Sequence, residues 1–223
     1  ESVQGADCVV RTAAVHDGNP EIAAALKGGI PVFERAQAWG AIMQGYKNAL
    51  CISGTHGKTT TTSMCTHIFM AAQADPTVMI GGTLPLLEAC HRVGHGDTII
   101  LESCEYCNSF LSFYPTVAVI LNVEADHLDF FKDLEDVERS FRKFADRVPE
   151  NGLIVANCED ENTMRVLEGE TRPVLTFGVE AGDVHGANLT MDHGFGSFDV
   201  IYQGEKYAHL DLSVPGTHNV KNA

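Results

Sequence analysis

One stretch, residues 49–62 with the sequence ALCISGTHGKTTTT, decides the fold. Its apolar first half predicts a buried strand, and the glycines within 54–57 predict a tight turn. The lysine and threonines that follow predict the start of a helix. This order directs backbone N–H groups and the positive end of a helix dipole to one point. The stretch therefore predicts a phosphate-binding loop, with Lys58 for phosphate oxygens and the Thr59 hydroxyl for Mg²⁺.

The loop departs from the common phosphate-binding loop in one respect. The common form has an additional glycine at the position of Ile52, so this loop is a contracted G-T-x-G-K-T form. An alternative is a plain turn without a ligand, with Ser53 or Thr55 as a helix cap and Gly57 taking a positive φ. That alternative explains the glycines but not the lysine and threonine at the helix start. Phosphate binding is the preferred interpretation.

The composition permits one sizeable domain, or one domain with part of another. The chain has 223 residues, of which 44% are hydrophobic, enough for a packed core. No apolar run approaches the length of a membrane span, and no signal peptide is recognisable. The sequence starts at Glu1 without a methionine and stops at Ala223 within a helical pattern. We therefore expect a piece of a longer, cytoplasmic protein.

The chain is acidic, with 30 acidic and 15 basic residues and a formal net charge of -15. An acidic surface repels the phosphate backbone of nucleic acids, so we expect no nucleic-acid partner. An anionic nucleotide must then be held by local features, which here are the loop amides, Lys58 and metal ions.

The seven cysteines are scattered, as in reduced cytosolic proteins. Cys104 and Cys107 form a C-x-x-C pair. A zinc ribbon needs a second such pair, and a thioredoxin-like pair opens a helix after the first strand of its fold. Redox or metal chemistry at this pair is therefore a weak alternative. His91 and His95, near Cys90, are expected in a solvated loop.

The first part of the chain, 1–47, predicts the end of a small α/β domain. Asn19 and Pro20 are typical of a helix N-cap and of a first helical residue. A short strand over 30–33 and a second helix follow. The nucleotide-binding domain is expected to occupy 48–223.

The second part predicts an open α/β sheet. Near-continuous apolar runs alternate with helical stretches, which favours a mostly parallel sheet covered by helices on both faces. The helix over 134–148 has its apolar residues on one face. After residue 178, alternating runs around turn residues predict a small antiparallel annex. The predicted parallel strands are 49–53, 77–80, 98–101, 116–121, 153–156 and 174–177, and the annex strands are 184–190, 196–202 and 206–212.

Polar side chains directly follow three of these strands. Glu102 ends one strand, Asn122 follows the next, and Asn157 follows a third, with Glu105 and His127 shortly after the first two. Ligands of open α/β sheets bind outside the carboxyl ends of the strands. Carboxylates and a histidine beside a phosphate loop suit Mg²⁺. Each residue also has a plainer interpretation as a turn, cap or loop residue, but their grouping favours an active site.

Taken together, these motifs resemble the Mur ligase family. The resemblance covers 49–223, and 1–47 resembles the end of the family's N-terminal domain. His56, where many members carry Asn, is similar to the members that act on UDP-N-acetylmuramate itself. The motifs that carry the resemblance are the loop over 54–60, Glu102, Asn122 with Asp126-His127-Leu128-Asp129, Asn157-x-Glu159-Asp160, and Pro215-Gly216-x-His218-Asn219-x-x-Asn222.

The resemblance implies an ATP-dependent ligase of peptidoglycan biosynthesis. ATP would phosphorylate the lactyl carboxylate of UDP-N-acetylmuramate, and the amine of L-alanine would attack the acyl phosphate. The implied cofactors are ATP and Mg²⁺, and the implied partners are these small-molecule substrates, with no membrane insertion.

The resemblance also implies roles for individual residues. Lys58 and the backbone amides of 55–60 would hold the phosphates. Thr59 and Glu102 would bind one Mg²⁺, and His127, again with Glu102, would bind a second. The implied catalytic residues are Lys58, His127 and Glu102, with His56 and Asn122 near the substrate carboxylate. The implied nucleotide-binding residues are Gly54, Thr55, His56, Gly57, Lys58, Thr59 and Thr60, with His218, Asn219 and Asn222 near the adenine.

The chain departs from the family pattern at Cys104 and Cys107, which stand where many relatives have carboxylates. No metal role is therefore expected for either cysteine. The family's C-terminal domain, which contributes amino-acid contacts, is not in this sequence. We expect residues 1–223 alone to bind ATP weakly and not to ligate.

Two other functions stay open from the sequence. A family member that recycles murein peptides carries the same G-T-H-G-K-T loop and joins a tripeptide to the same sugar. From another class, a P-loop module could bind nucleotide and switch a partner, although no residue here marks mobile switch loops.

Overall fold

The structure is a computed structural model that describes residues 3–12 and 14–223. Its first part contains a two-stranded parallel sheet and two helices. Asn19 caps the first helix, because its side chain accepts hydrogen bonds from the amides of Glu21 and Ile22 at 2.9 and 3.4 Å. These elements are β1 (Val9–Arg11), α1 (Pro20–Lys27), β2 (Val32–Glu34) and α2 (Arg35–Met43).

A ten-stranded sheet forms the rest of the described fold. Its strands are β3 (Asn48–Ser53), β4 (Thr77–Leu84), β5 (Ala89–Arg92), β6 (Thr98–Glu102), β7 (Val117–Ile120), β8 (Leu153–Asn157), β9 (Val174–Gly178), β10 (Val184–Asp192), β11 (Phe195–Tyr202) and β12 (Glu205–Pro215). Their spatial order is β12-β11-β10-β9-β8-β7-β3-β6-β4-β5. Every neighbouring pair from β10 to β4 is parallel, which confirms the predicted mostly parallel sheet.

Helices cover both faces of this sheet. They are α3 (Lys58–Ala71), α4 (Leu134–Ala145), α5 (Glu161–Val166) and α6 (Thr217–Asn222), with a 3-10 helix over Tyr106–Ser112. The strands alternate their side chains between two apolar cores, so Cys51 of β3 lies in one core and Ile52 in the other. The larger core packs under α2, α4, α5 and the 3-10 helix, and the smaller core packs under α3.

The helix α4 shows how the sequence pattern becomes packing. Asp133 caps it by accepting a hydrogen bond from the Asp136 amide at 2.9 Å. Phe141 and Phe144 are fully buried on its apolar face, and the Phe144 ring stacks on Phe110 with the centroids 4.6 Å apart. The amphipathic helix predicted over 134–148 is therefore present, and it ends at Ala145.

Two details differ from the expectation. Cys90 and His91 lie in β5, an edge strand antiparallel to β4, and not in a loop. The antiparallel annex is present as β10, β11 and β12, but it continues the main sheet because β10 pairs in parallel with β9. The alternation of apolar and polar residues predicts a strand, but it does not show with which strand of the main sheet a hairpin pairs.

The chain changes direction in the sheet at β3. From β3 it passes through α3 to β4 on one side, while β7 lies against β3 on the other side. Ligands of open α/β sheets bind at such a switch point, outside the carboxyl ends of the strands. In the described ranges, no helix combines the length and apolar character that a bilayer crossing requires.

Candidate active site

The glycine-rich loop joins β3 to α3 at the switch point. Gly57 has φ of 86°, and Gly54 has φ of 142°. A Cβ on Gly54 would lie 2.9 Å from the Leu121 Cβ, so the loop passes the end of β7 too closely for any side chain at this position. Both positions require glycine. The loop therefore has the strand-turn-helix form that its sequence predicts.

Asn122 clamps the loop from the end of β7. Its carbonyl oxygen accepts a hydrogen bond from the Thr55 amide at 3.0 Å. Its side-chain amide accepts from the His56 N–H at 2.7 Å and donates to the His56 carbonyl at 3.0 Å. The side chain that was expected near the substrate carboxylate thus also positions the loop backbone.

This clamp limits which of the predicted loop amides can face a phosphate in this conformation. The amides of Thr55 and His56 already donate to Asn122, so they are not available to a phosphate in this conformation. The N–H groups of 57–60 lie in the first turn of α3, where no intrahelical acceptor exists. The first hydrogen bond of this helix runs from the Thr61 N–H to the Gly57 carbonyl. Of the amides predicted to face a phosphate, those of the turn 57–60 are therefore the ones that Asn122 leaves available in this conformation.

The Lys58 ammonium has three partners. It donates to the carbonyl oxygens of Gly54 at 2.6 Å and Thr55 at 3.0 Å, and to the Glu105 carboxylate at 3.0 Å. An ammonium group has three N–H bonds, so these partners satisfy it completely.

Glu105 follows the end of β6, and the sequence analysis placed it in the strand-end group without giving it a role of its own. Only 1% of its surface is exposed. Its Oε1 lies 3.6 Å from the Nε2 of His127, whose side chain is 34% exposed. His127 was expected to share a Mg²⁺ with Glu102, which stays a prediction, and the structure places the Glu105 carboxylate directly beside its ring. The sequence signal was a second glutamate close behind the strand end.

Glu102 faces a different group. Its Oε1 accepts a hydrogen bond from the Thr59 hydroxyl at 3.0 Å, and its Oε2 accepts from the Gly81 amide at 2.6 Å. Hydroxyl and carboxylate oxygens are ligands that Mg²⁺ prefers, and both belong to the predicted set. The donor chemistry and the proximity of these two side chains therefore fit one Mg²⁺ beside the loop.

His127 adopts an uncommon backbone conformation, with φ of 52°. Its amide donates to the Asp126 carboxylate at 2.7 Å, and its ring lies 4.8 Å from the Tyr106 ring. The Tyr106 hydroxyl donates to Asp129 at 2.8 Å, and this hydrogen bond raises the pKa of Tyr106 to about 12. Left-handed conformations at non-glycine residues cost free energy and concentrate at functional sites.

The remaining strand-end residues have mainly structural contacts. Asn157 is buried and donates to the Leu121 carbonyl at 2.9 Å, and Asp160 caps α5 through the Thr163 amide at 2.7 Å. In contrast, the His56 side chain is 64% exposed, with its Nε2 3.7 Å from Glu124.

The helix α6 brings the C-terminal motif to the loop. The Asn222 side chain packs against Gly57, where an added Cβ would lie 2.5 Å from its Oδ1. Thr61 donates to the Asn222 carbonyl at 3.1 Å. Asn219 donates to the Pro215 carbonyl and accepts from Asn222, so it fastens the helix.

His218 lies beside a cavity of about 570 Å³. The cavity is next to the ion pair of Lys221 and Glu159, which are 3.0 Å apart. Its lining residues are Glu159, Val179, Glu180, Ala181, Thr217, His218 and Lys221.

A cleft of about 300 Å³ lies between the first part of the chain and the ends of β4 and β6. Glu102 lies on one wall and Arg35, at the start of α2, lines the other. Its lining residues are Thr12, Ala14, Glu34, Arg35, Ala36, Trp39, Met79, Glu102, Cys104, Tyr106, Ser109 and Phe113.

No group of three or more His, Cys, Asp or Glu side chains in the described ranges is arranged to hold a metal on its own. Cys104 and Cys107 are free cysteines, and each residue as a whole is exposed. The protein around the Cys104 sulfur removes part of its water, and the neighbouring Glu105 is negatively charged. Both effects, the first being larger, raise the pKa of Cys104 and disfavour a reactive thiolate.

An open, mostly parallel α/β sheet with a Gly-Lys-Thr loop at its switch point defines the P-loop class of nucleotide-binding proteins. The sequence profile of the Mur ligase middle domain matches residues 52–223, and that of the Mur ligase family catalytic domain matches residues 1–47. This chain belongs to the Mur ligase family, whose members are ATP-dependent ligases.

Similar sequences agree with this assignment. The UDP-N-acetylmuramate–L-alanine ligase of Caldanaerobacter subterraneus subsp. tengcongensis is 47% identical over 225 residues, and that of Clostridium botulinum strain Hall is 44% identical over 224 residues. Each alignment covers 100% of this chain and 49% of the relative. The chain thus spans about half the length of the curated relatives that it matches.

Solved structures of the family have the same fold. The UDP-N-acetylmuramate–alanine ligase of Thermotoga maritima superposes with a TM-score of 0.82 at 31% identity, over 97% of this chain and 49% of that chain. The UDP-N-acetylmuramate:L-alanyl-gamma-D-glutamyl-meso-diaminopimelate ligase of Neisseria meningitides superposes with a TM-score of 0.85 at 27% identity, over 97% of this chain and 71% of that chain.

Proposed function

We propose that this chain is the nucleotide-binding part of a ligase that joins L-alanine to the lactyl carboxylate of UDP-N-acetylmuramate. ATP first phosphorylates the carboxylate, and the amine then attacks the acyl carbon. The tetrahedral intermediate loses phosphate, and an amide remains. One observation carries the proposal: the Thr59 and Glu102 pair stands between the phosphate loop and the cleft that Arg35 lines.

The loop residues neutralise the charge of the phosphates and do not need to act as acids or bases. A carboxylate is a poor electrophile until it is phosphorylated, and phosphoryl transfer depends mainly on positioning and neutralisation of charge. The amides of 57–60 point to one site, and Lys58 can join them once a phosphate replaces one of its present acceptors. Asn122 keeps this loop in register with the end of β7.

Thr59 and Glu102 would hold one Mg²⁺, which supplies neutralisation of phosphate charge when bound. His127 lies on the far side of Glu105 and is the candidate residue for a second cation near the acyl phosphate. The exposed His56 side chain is the candidate contact of the loop for the substrate carboxylate. For the adenine we propose the cavity beside His218, together with Asn219 and Asn222 of the same helix α6.

The organisation that we propose has 1–47 as the end of the sugar-nucleotide domain and 48–223 as the ATP domain. Arg35 and Trp39 of α2 line the cleft, and the positive charge of Arg35 suits an anionic sugar derivative. The proposed setting is the cytoplasm, where ATP and UDP-sugars occur. By itself this chain is proposed to bind ATP weakly.

A second candidate is the ligase that joins a whole tripeptide to the same sugar. It is favoured by the structural similarity to the Neisseria meningitides ligase, with a TM-score of 0.85. The identity to the alanine-adding enzymes, 44–47% over the whole chain, supports the first candidate more strongly.

The test is phosphate release from ATP by the full-length protein with UDP-N-acetylmuramate and either L-alanine or the tripeptide. We expect release that requires both the sugar nucleotide and L-alanine. Equal or better turnover with the tripeptide would select the second candidate. ATP hydrolysis that needs neither acceptor would reject a ligase and favour a switch module.

A further inference from the structure

The side chain of Glu105 joins two parts of the candidate site. On one side its carboxylate lies 3.0 Å from the Lys58 Nζ of the phosphate loop. On the other side it lies 3.6 Å from the His127 Nε2, in the turn after β7. The Glu105 side chain is 2% exposed and the Lys58 side chain 12%, so water screens this ion pair little.

Glu105 occupies one of the three N–H bonds of Lys58, and the two loop carbonyls occupy the others. A phosphate oxygen can therefore reach the ammonium only if one acceptor leaves. The carbonyls of Gly54 and Thr55 belong to the loop itself. Glu105 belongs to the segment after β6, and its negative charge would repel the phosphate that replaces it.

The same charges determine what else the nucleotide needs. Lys58 is neutralised by Glu105, and Glu102 adds a second negative charge beside Thr59. A triphosphate entering this site without a cation meets one positive and two negative side chains. In a phosphate loop with an unpaired lysine, the triphosphate would instead meet a net positive charge.

We propose that Glu105 is a positioning residue that competes with the nucleotide for Lys58. It holds the ammonium before a nucleotide binds, and nucleotide binding separates the two groups. His127 gives the released carboxylate a second partner, already 3.6 Å away. Divalent cations are therefore required for tight nucleotide binding, and not only for phosphoryl transfer. The inference rests on the proposed function, because it presumes that the loop binds ATP.

The test is nucleotide affinity with and without a divalent cation, measured by calorimetry on the full-length protein. The variant is Glu105→Gln, which keeps the shape of the side chain and removes its charge. In EDTA, we expect the variant to bind ATP about tenfold more tightly than the wild type. With Mg²⁺ present, the difference should shrink, since the cation offsets the added negative charge in the wild type.

Glu102→Gln is the matched control, since it removes a carboxylate from the same segment without touching Lys58. In EDTA we expect it to change ATP affinity by less than the Glu105 variant does. If Glu102→Gln gives the same gain, general charge repulsion explains the effect and the specific competition is overturned.

A second readout tests positioning directly. Without nucleotide, Glu105→Gln should make the Lys58 amine more reactive toward an amine-acylating reagent, as measured by peptide mass spectrometry. Unchanged ATP affinity in EDTA, with normal binding of Mg-ATP, would overturn this inference alone. Absence of Mg-ATP binding in the wild type would overturn the proposed function and this inference with it.

Discussion

At the scale of single residues, the site depends on side chains that hold backbone as much as on side chains that face a ligand. Asn122 makes two hydrogen bonds to the backbone of His56, at 2.7 and 3.0 Å. The segment it holds precedes the turn 57–60, whose amides form the proposed phosphate cradle. An error in the loop backbone misdirects all of these amides together.

Replacing Asn122 with alanine should weaken nucleotide binding without unfolding the protein. Two hydrogen bonds at about 1 kcal/mol each correspond to a loss of roughly 30-fold in affinity. Calorimetric titration with Mg-ADP measures this loss. Asn162→Ala is the control, because the Asn162 amide bonds to the Val123 carbonyl at 2.7 Å and to Arg165 at 3.1 Å and not to a residue of the phosphate loop. Similar losses in both variants would mean that the Asn122 clamp has no special role.

At the scale of secondary-structure elements, neighbouring strands position the carboxylates. Glu102 at the end of β6 is held by the amide of Gly81 in β4 at 2.6 Å. A Cβ on Gly81 would lie 2.5 Å from the Glu102 Oε1, whereas a Cβ on Gly82 would have only Thr59 Cγ2 within reach, at 3.7 Å. Two adjacent glycines therefore differ sharply in how a methyl group would affect the site.

We expect Gly81→Ala to displace Glu102 from Thr59 and to lower the rate of phosphoryl transfer by at least about tenfold. The Mg²⁺ concentration needed for half-maximal activity should rise as well, because the Mg²⁺-facing carboxylate has moved. Gly82→Ala is the control and should stay near the wild type. Titration of Mg²⁺ in the ligase assay tests this, and indistinguishable variants would refute the assigned role of Gly81.

The Asp199 carboxylate, on β11, bonds to side chains of the two neighbouring strands β10 and β12. It contacts Lys206 at 2.6 Å, Asn188 at 3.0 Å and the His209 ring at 2.6 Å. The hydrogen bond from Lys206 first, and then those from Asn188 and His209, hold the pKa of Asp199 well below its usual range. A depressed pKa in the folded state contributes stability above the ordinary pKa, and this stability is lost as the pH falls.

Asp199→Asn should therefore lower the melting temperature at pH 7, and the gap to the wild type should narrow as the pH falls below about 4. Thermal unfolding followed by circular dichroism between pH 7 and pH 3 measures it. The control is Asp192→Asn, because the Asp192 side chain is 94% exposed near the end of β10. A gap that is the same at every pH would contradict the role of the charge.

At the scale of the whole molecule, the first part of the chain packs through α2 onto the part that contains the ten-stranded sheet. Gly40 is buried, and a Cβ at this position would lie 2.0 Å from the Ser112 carbonyl oxygen of the 3-10 helix. This contact sets the distance between the two walls of the cleft, since α2 carries Arg35 and Trp39 and the other wall carries Glu102.

Gly40→Ala should force α2 away from the 3-10 helix and cost about 2 kcal/mol of stability, as overpacking usually does. Binding of UDP-N-acetylmuramate should weaken more than binding of Mg-ATP, because only the cleft spans both parts. Gly45→Ala is the control, since its added Cβ would meet only the Ile42 carbonyl at 3.4 Å. Equal effects on both ligands would show that the junction does not shape the cleft.

The sequence alone predicted the parallel strands, the amphipathic helix α4, the Asn19 cap and the glycine-rich loop. Each of these depends on neighbours in the chain: alternation, helical period, capping side chains or glycine at a positive φ. For the same reason, the residues at the strand ends could be predicted as a group, because parallel strands end at one edge of their sheet.

Only the tertiary structure decided which of those residues meet. Glu105 and not Glu102 lies beside His127, two amides of the loop belong to Asn122, and β10 joins the main sheet beside β9. These choices depend on side-chain directions and distances between segments far apart in the chain. Sequence periodicity fixes the face on which a residue lies, but a contact of about 3 Å depends on the packing of every element between the two groups.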